Sequence, residues 1–293
     1  MSFAEFIYTE VLKPRPLKAL ANAILLRIIP ESVQVGQATI HLDPGDPVVS
    51  GALTLRFFEP SELAFFRKYC RGDMTLVDIG ANIGLYSTLA IHSLSDRGRV
   101  IALEPHPGSF AFLQCNVEAN LKARPGSAPR VDAFQLAAAP ESGVQALRLN
   151  PENRGDNRLY HGTYKGAKEN WECIPVEGQP LDALLARLGI QEVNFVKIDI
   201  QGYEQKAIHG FKKTLARSAR VILMSEFWPK GLQESGGDAF GYLEDLSALG
   251  FRLYELTERP RGRTVPLENW ERLVTRLRGR RYTNIIAVKG CQL

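Results

Sequence analysis

The chain has 293 residues, 45% of them hydrophobic, and is long enough to bury a full core as one large domain with an extension. Its 36 basic and 32 acidic residues give a net charge of +4 and are interspersed, so the charge pattern indicates no nucleic-acid partner. The four cysteines are far apart and form no Cys-x-x-Cys pair, which excludes the usual zinc and disulfide patterns. They suit a reducing cytosol, and we predict a cytoplasmic protein.

Residues 1–70 are predicted to form an extension in front of the main domain. An apolar run at 17–30 is too short to span a bilayer and contains two basic residues, so we predict no integral membrane segment. Its spacing favours an amphipathic helix that packs on the domain or on a second subunit, which allows a homodimer, with membrane-surface binding as the alternative. Residues 34–55 are predicted to form short strands joined by a turn at 43–45, and a helix is predicted from Pro60.

Residues 71–293 are predicted to form the main domain, because short apolar β-branched runs alternate there with segments of helical period. This pattern is typical of parallel βαβ units. It predicts a Rossmann-like α/β fold with a seven-stranded, mostly parallel sheet and an antiparallel last strand. The predicted strands are 76–79, 99–104, 131–136, 194–200, 221–227, 251–256 and 283–288. The predicted helices between them are at about 84–95, 108–122, 203–216 and 239–249.

A polar stretch at 141–178 breaks this alternation and is too long for an ordinary connection. We predict that it is an inserted loop that serves as a flap over the acceptor, because its side chains can hold a polyhydroxyl surface by hydrogen bonds and stacking. The side chains in question are Asn157, Arg158, Tyr160, His161, Tyr164 and Trp171.

The segment TLVDIGANIGLYSTLAI, residues 75–91, has the form of a nucleotide-binding turn between a strand and a helix. Gly80 and Gly84 let the backbone turn sharply and let a ligand approach. The spelling is D-x-G-A-N-x-G, with Asp78 at the strand end and Asn82 where a dinucleotide site would have its second glycine. Because a carboxylate would repel a pyrophosphate, Asp78 favours a cationic ligand such as S-adenosylmethionine, which carries an ammonium and a sulfonium.

A second acidic anchor, Glu104, follows the next apolar strand. It lies 20 residues after Gly84, which matches the offset of about 20 residues at which an acid takes the ribose hydroxyls of an adenosine cofactor. A third strand leads to small residues around Ala137, which by position should flank the adenine ring. The alternative for each acid is a helix cap or a solvated strand end.

Four segments carry a family resemblance: FFEPSEL, DIGANIGLYS, ALEPHPGSFAFLQCN and FVKIDIQGYEQKAIHG. In this order they resemble the FkbM-type methyltransferases over about residues 34–227. The resemblance implies a class I fold and an S-adenosylmethionine-dependent O-methyltransferase. The acceptor implied is a small molecule or glycan, namely a hydroxyl of a sugar, glycoconjugate or natural product.

The resemblance places cofactor contacts at Asp78, Gly80, Asn82, Gly84 and Glu104, and it marks Glu59, Asn116, Lys197, Asp199 and Glu204 as family-motif positions. The full set of predicted cofactor-binding residues is Glu59, Asp78, Gly80, Ala81, Asn82, Gly84, Ser87, Glu104, Asn116 and Ala137. The chain departs from the family pattern at one point, where Gln201 stands in place of the usual acid before a glycine. Glutamine keeps the size of that acid but cannot act as a base.

Three residues are predicted to carry the chemistry: Lys197, Asp199 and Glu204. Asp199 ends the strand NFVKIDI at the carboxyl edge of the sheet, where open α/β folds bind ligands. We predict it as the base or acceptor anchor, with Lys197 as its electrostatic partner on the same face of the strand. A Lys–Asp pair that only braces the sheet is the alternative. Glu204 starts a helix and is predicted either to cap it or to touch substrate.

Glu226 and Trp228, after the next strand, are predicted to line the acceptor pocket. Carboxylates on neighbouring strand ends could also hold a divalent metal, but no local ligand cluster requires one, and none is expected. Two other functions compete with methyl transfer: a nicotinamide-dependent oxidoreductase and a non-catalytic cofactor-binding partner.

Overall fold

The computed structural model describes residues 29–151, 153–160, 171–258, 262–279 and 281–293. Most of the predicted helix at 17–30 lies outside the described residues, so the homodimer through this region stays a prediction. None of the helices in the described ranges is long and apolar enough to cross a membrane.

An eight-stranded sheet forms the centre of the molecule. Its strands are β3 Thr75–Ile79, β4 Arg99–Leu103, β5 Arg130–Phe134, β10 Phe195–Ile198, β11 Val221–Phe227, β12 Arg252–Thr257, β13 Arg263–Pro266 and β14 Thr283–Lys289. Their order in the sheet is β13-β12-β14-β11-β10-β3-β4-β5. The strands β5, β4, β3, β10 and β11 are mutually parallel, and β14 runs antiparallel to β11 and β12.

The predicted Rossmann-like α/β class is confirmed, together with the seven predicted strands and the antiparallel last one. The number seven is wrong by one, because β13 adds an antiparallel edge strand beside β12. This strand is four residues long and mostly exposed, so it lacks the apolar alternation that identifies a strand in a sequence.

Helices cover both faces of the sheet. They are α1 Pro47–Thr54, α2 Pro60–Tyr69, α3 Leu85–Ser93, α4 Pro107–Lys122, α5 Leu181–Arg187, α6 Glu204–His209, α7 Lys212–Arg217, α8 Pro229–Glu234, α9 Ala239–Ala248 and α10 Trp270–Arg276. The helix predicted at 203–216 is two helices in the structure. The helix is interrupted at Gly210, where a β-carbon would lie only 2.3 Å from the carbonyl oxygen of Ala139.

The region before the sheet differs from the prediction. A hairpin is present, but its strands are β1 Ser32–Val35 and β2 Ala38–His41, and it turns at Gly36 with φ +67°. The second half of the predicted strand pair is the helix α1. This helix forms because Asp46 caps it, accepting hydrogen bonds from the amides of Val48 and Val49, and because Pro47 supplies a helical φ at its first position.

The stretch at 141–178 is structured as far as it is described. It forms a second sheet whose strands are β6 Ala137–Ala138, which precedes the stretch, β7 Gly143–Arg148, β8 Arg158–Tyr160 and β9 Cys173–Gln179. The order of these strands is β6-β9-β7-β8. Between β7 and β8 a 3₁₀ turn, Arg154–Asp156, contacts α1.

The core has two main layers, one on each face of the sheet. Because β3, β4 and β10 are covered on both faces, their residues are almost all buried. On one face Phe66 packs edge-on against both Tyr86 and Phe195, with ring centroids 5.1 and 5.3 Å apart. The extension is therefore part of the same core as the sheet, and it brings α2 to the edge where the strands end.

Candidate active site

A cleft of 1740 Å³ opens at the carboxyl ends of the central strands. It exceeds the roughly 300–1,000 Å³ of a pocket for one drug-sized ligand, so it has room for two ligands side by side. Its wall includes the turn after β3, the end of β4, residues 136–138, the end of β10 and parts of α1 and α2. This is the edge at which open α/β sheets bind ligands.

The amides of the glycine-rich turn are used within the protein. Gly80 and Ala81 both donate to the carbonyl oxygen of Leu103, at 3.0 and 2.9 Å. The amide of Asn82 donates to Glu104 Oε2 at 2.9 Å. A pyrophosphate site needs free amides, and these three are taken, so the turn is built for a different contact.

Both motif glycines are required by close packing as well as by positive φ. A β-carbon on Gly80, at φ +77°, would lie 2.0 Å from the carbonyl oxygen of Asp199. One on Gly84, at φ +86°, would lie 2.5 Å from Leu113 on α4. Gly80 thus places the turn directly against the end of β10, and Gly84 lets α3 and α4 pack closely.

Glu104 is held at the cleft by two backbone amides. Its Oε2 accepts from Asn82 and its Oε1 accepts from His106 at 2.8 Å. Burial raises its pKa to about 7, although these two amides partly offset that effect. Each carboxylate oxygen can accept more than one hydrogen bond, so Glu104 can still accept from a ligand. Beside it, Asn82 Oδ1 is buried and has no hydrogen-bond partner among the described residues.

Three predicted cofactor residues lie behind the cleft wall. Asp78 is fully buried, and its Oδ2 accepts from the hydroxyl and the amide of Ser87 at 2.6 and 3.1 Å, which fixes the start of α3 to β3. Asn116 is fully buried and bonds to both backbone groups of His41 and to the carbonyl of Ile83. These side chains position the turn and the hairpin, and none of the three lines the cleft.

Lys197 and Asp199 form a pair at the end of β10, in the wall of the same cleft, as predicted from their strand. Lys197 Nζ lies 3.2 Å from Asp199 Oδ2 and 5.0 Å from the ring centre of Tyr86. Burial lowers the pKa of Lys197, but Asp199, Glu59 and Asp78 together outweigh it and hold the pKa above its ordinary value. The ammonium is therefore a fixed positive charge, 7% exposed, among acidic groups.

Gln201 completes the bonding of Asp199. Its Nε2 donates to Asp199 Oδ1 at 2.9 Å, from a left-handed backbone with φ +56°. An acid at this position could not donate this hydrogen bond unless it carried a proton. The departure from the family pattern thus has a local role, since it leaves Asp199 with a donor on each oxygen.

Glu59 lies with this second group and not beside Glu104. It lines the cleft, and its Oε2 accepts from the Tyr86 hydroxyl at 2.5 Å. Burial raises its pKa to about 8, and the nearby Lys197 limits the rise. Tyr86 was not predicted as a site residue, because an aromatic residue in an apolar helix is more often part of the core.

Of the remaining predicted residues, Glu204 braces a turn. It is 1% exposed, its Oε1 accepts from the amides of Ile200 and Gly202 at 3.2 and 3.1 Å, and it does not line the cleft. Glu226 lines the cleft, and its place in an acceptor pocket stays a prediction. Trp228 does not; its ring lies under the guanidinium of Arg158 at 4.4 Å.

The 3₁₀ turn of the second sheet covers part of the cleft. Residues 153–157 line it, and Arg154 forms an ion pair with Asp43, whose side chain is 4% exposed, at 2.5 Å. Asn157 of the predicted flap is in this wall, whereas His161 and Tyr164 lie outside the described residues. Within the described ranges, no group of three or more His, Cys, Asp or Glu side chains is placed to hold a metal ion.

A comparison with protein families identifies the family of the chain. The family model described as the methyltransferase FkbM domain matches residues 78–253, more than half of the chain. The chain belongs to the FkbM methyltransferase family. This match begins at Asp78 and includes Glu104, Lys197 and Asp199. It also favours methyl transfer over the oxidoreductase alternative.

Individual relatives are distant. The chain is 27% identical over 153 residues to Methyltransferase 1 of Beauveria bassiana, covering 47% of this chain and 58% of that protein. It is 24% identical over 182 residues to methyltransferase sdnD of Sordaria araneosa, covering 54% and 68%. The crystal structure of an FkbM methyltransferase from Methylobacillus flagellatus is 13% identical with a TM-score of 0.42, covering 96% of this chain and 60% of that one.

Proposed function

We propose that the protein is an S-adenosylmethionine-dependent O-methyltransferase that methylates a hydroxyl of a sugar, glycoconjugate or natural product. The observation that carries the proposal is one cleft with Glu104, after β4, at its first end and the Lys197–Asp199 pair of β10 at its second end, while the glycine-rich turn after β3 lies between them in the order of the sheet. The cofactor would occupy the first end and the acceptor the second.

The residues at the first end fit an adenosine cofactor with no phosphate. Glu104 is oriented by two amides and keeps acceptor capacity for the two ribose hydroxyls. The unpartnered Asn82 Oδ1 offers an acceptor to a ligand N–H or O–H group. The small Ala137 and Ala138 in the wall leave room for a flat ring. A dinucleotide is disfavoured, because three amides of the turn already donate hydrogen bonds within the protein and are not free to bind a pyrophosphate.

When bound, S-adenosylmethionine supplies an electrophilic methyl group on a sulfonium. The protein's task is then to hold an acceptor oxygen in line with that methyl group at about 3–3.5 Å and to manage the proton of the hydroxyl. Asp199 is the proposed acceptor anchor. Lys197 stabilises negative charge that develops on the acceptor oxygen, as an ammonium fixed in a buried site does without reorganisation.

The polar groups of the second end support an acceptor that is rich in hydroxyl groups. Glu59, Asp199 and Glu226 line this end together with the ammonium of Lys197. Their carboxyl oxygens suit the many hydrogen-bond donors of a polyol.

The test of the cofactor is calorimetric titration with S-adenosylhomocysteine and, separately, with NAD. We expect the wild type to bind the first and not the second, Glu104→Ala to bind at least ten-fold more weakly, and the exposed Glu118→Ala to bind like the wild type. Failure of the folded wild type to bind S-adenosylhomocysteine would overturn the proposal.

The test of the reaction is transfer of a radiolabelled methyl group to a panel of alkyl glycosides, free sugars and hydroxylated aromatic compounds. Asp199→Asn should lose turnover while its affinity for S-adenosylhomocysteine stays within a few-fold of the wild type. A parallel loss of both would instead make Asp199 part of the cofactor site.

A further inference from the structure

The proposed reaction needs a group that takes the proton of the acceptor hydroxyl. Among the carboxyl groups that line the cleft, Glu59, Asp199 and Glu226 are the ones considered for this role, because each interacts with the charge of Lys197. Their hydrogen bonds and surroundings differ, and these differences separate their roles. The inference below rests on the proposed function.

Asp199 already accepts on both oxygens. Lys197 donates to Oδ2 at 3.2 Å and Gln201 donates to Oδ1 at 2.9 Å. A proton arriving on either oxygen would compete with a donor that the fold holds in place, one of them a cation. Asp199 is therefore suited to fix Lys197 and to anchor an acceptor, and poorly suited to receive a proton.

Glu226 is suited to keep a proton. Ile198 and Ser225 are partners in the register of β10 and β11, and Asp199 and Glu226 each come one residue later. The Oε2 of Glu226 is buried without a hydrogen-bond partner among the described residues. Burial, together with the negative charges of Asp199 and Glu204, raises its pKa well above the ordinary value. A carboxyl group that remains protonated can donate to an acceptor oxygen but cannot begin by taking its proton.

Glu59 differs from both. Its backbone is left-handed, with φ 40° and ψ 54°, a conformation that costs energy for a residue with a β-carbon and that tends to occur at functional sites. Pro60 at the first position of α2 follows it directly, which fixes the direction of the chain. The Tyr86 hydroxyl engages only Oε2, so this bond leaves the second oxygen of Glu59 for another partner.

We propose that Glu59 is the general base of the reaction, contributed by a segment that precedes the matched family region. The O–H bond of the acceptor breaks and its proton passes to the Glu59 carboxylate. The oxygen lone pair forms the new bond to the methyl carbon as the carbon–sulfur bond breaks, and that electron pair stays on sulfur. Tyr86 is a positioning residue, because it orients the carboxylate through Oε2.

The titratable groups that act on Glu59 come from β10, β11, α2 and α3. They are Lys197 and Asp199 at the end of β10, Glu226 on β11, Glu62 on its own helix, and the hydroxyl of Tyr86 on α3. With burial as the main cause, they set the pKa of Glu59 at about 8. Because the deprotonated form takes the proton, kcat should rise with pH through about 8 and level off above it.

The first experiment measures protonation without turnover. In protein labelled with ¹³C at the glutamate carboxyl carbons, one resonance should titrate with a midpoint above pH 7 and vanish in Glu59→Gln, while the exposed Glu118→Gln keeps it. Tyr86→Phe removes a hydrogen bond that lowers the pKa of Glu59, so the midpoint should move upward. Absence of a Glu59 resonance with a midpoint above pH 7 would overturn the inference.

The second experiment uses the best acceptor from the panel above. Glu59→Gln should lower kcat roughly 100-fold or more, the range of general-base contributions, with unchanged melting temperature and affinity for S-adenosylhomocysteine. Tyr86→Phe should move the rise of kcat to higher pH. A Glu59→Gln enzyme within three-fold of wild-type kcat would overturn the inference and leave the proposed function intact. If the wild type methylates no acceptor, the proposed function fails and the base fails with it.

Discussion

The carbonyl oxygen of Asp199 stands 2.0 Å from the position that a β-carbon on Gly80 would occupy. This close approach joins the end of β10, which carries the proposed acceptor anchor, to the turn beside the proposed cofactor site. The two halves of the cleft therefore have a fixed separation. A disturbance at Gly80 should reach both.

Gly80→Ala is the first prediction. The new methyl group must displace the Asp199 carbonyl, so we expect a loss of stability of about 1–3 kcal/mol from overpacking, added to about 1 kcal/mol for the positive φ. Affinity for S-adenosylhomocysteine should fall more than ten-fold. Gly126→Ala is the matched control, since Gly126 has φ +74° and nothing within 4 Å of a β-carbon. If both variants lose affinity and stability equally, the backbone strain explains the effect and the contact does not.

The second prediction concerns stability against pH. Burial raises the pKa of Glu204 from 4.5 to about 7, so between these values the folded protein holds a proton that the unfolded chain has lost. Stability from this group is therefore present at pH 4.5 and declines as the pH rises toward 7, by up to about 3 kcal/mol at about 1.4 kcal/mol per pH unit.

Glu204→Gln removes this dependence while keeping an oxygen for the amides of Ile200 and Gly202. The melting temperature of the variant minus that of the wild type should increase from pH 5 to pH 8. Glu118→Gln, on the surface, should show no such trend. A difference that stays flat with pH would mean that Glu204 is ionised normally in the folded protein.

Asn116→Ala tests whether Asn116 serves the ligand or the fold. Its amide group holds His41 of the hairpin and the carbonyl of Ile83, so its loss leaves buried backbone groups unpaired at a cost of about 1–3 kcal/mol each. We expect a melting temperature several degrees lower and an affinity for S-adenosylhomocysteine within three-fold of the wild type at 15 °C. Cys115→Ala, an exposed neighbour on the same helix, should change neither. A selective loss of affinity would restore Asn116 as a ligand contact.

Arg154→Ala tests the cover over the cleft. Without the guanidinium, Asp43 is left as a buried charge and the 3₁₀ turn loses its tie to the chain before α1. We expect S-adenosylhomocysteine to dissociate about ten-fold faster in stopped-flow fluorescence. Arg97→Ala, which breaks an ion pair exposed on both sides, should leave the rate unchanged. An unchanged rate in both variants would show that the turn does not retain the ligand.

The sequence predicted those parts of the fold whose signals are local. The seven apolar strands, the glycine turn and Glu104 could be located because β-branched runs, positive-φ glycines and a fixed offset act within a few residues of each other. The prediction of a strand was wrong at α1. The segment VVSGALT alternates like a strand, but it forms a helix because Asp46 caps it and Pro47 starts it. It missed β13, whose pairing with β12 alone makes it a strand.

The site was harder to predict than the fold for a physical reason. Whether an acid faces a ligand or braces the backbone depends on partners that are distant in sequence. Asp78 and Glu204 both follow the pattern of site residues. In the structure, however, Asp78 accepts a hydrogen bond from Ser87, and Glu204 accepts one from the backbone amide of Gly202. The hydrogen bond between Glu59 and Tyr86 joins residues that are 27 positions apart, and no sequence pattern around either residue indicates it.

The order of strands in the sheet has a practical consequence for anyone who trims this protein to its recognisable domain. The family match starts at residue 78, within β3, and stops at residue 253, within β12. In the sheet, β12 pairs with β14 and not with β11. A fragment cut at those borders would keep two of the five residues of β3 and the first two residues of β12, and it would lack β14, the neighbour of β11. The unpaired edge of β11 would then favour aggregation. The region that matches the family model is therefore shorter than the region that forms the complete sheet.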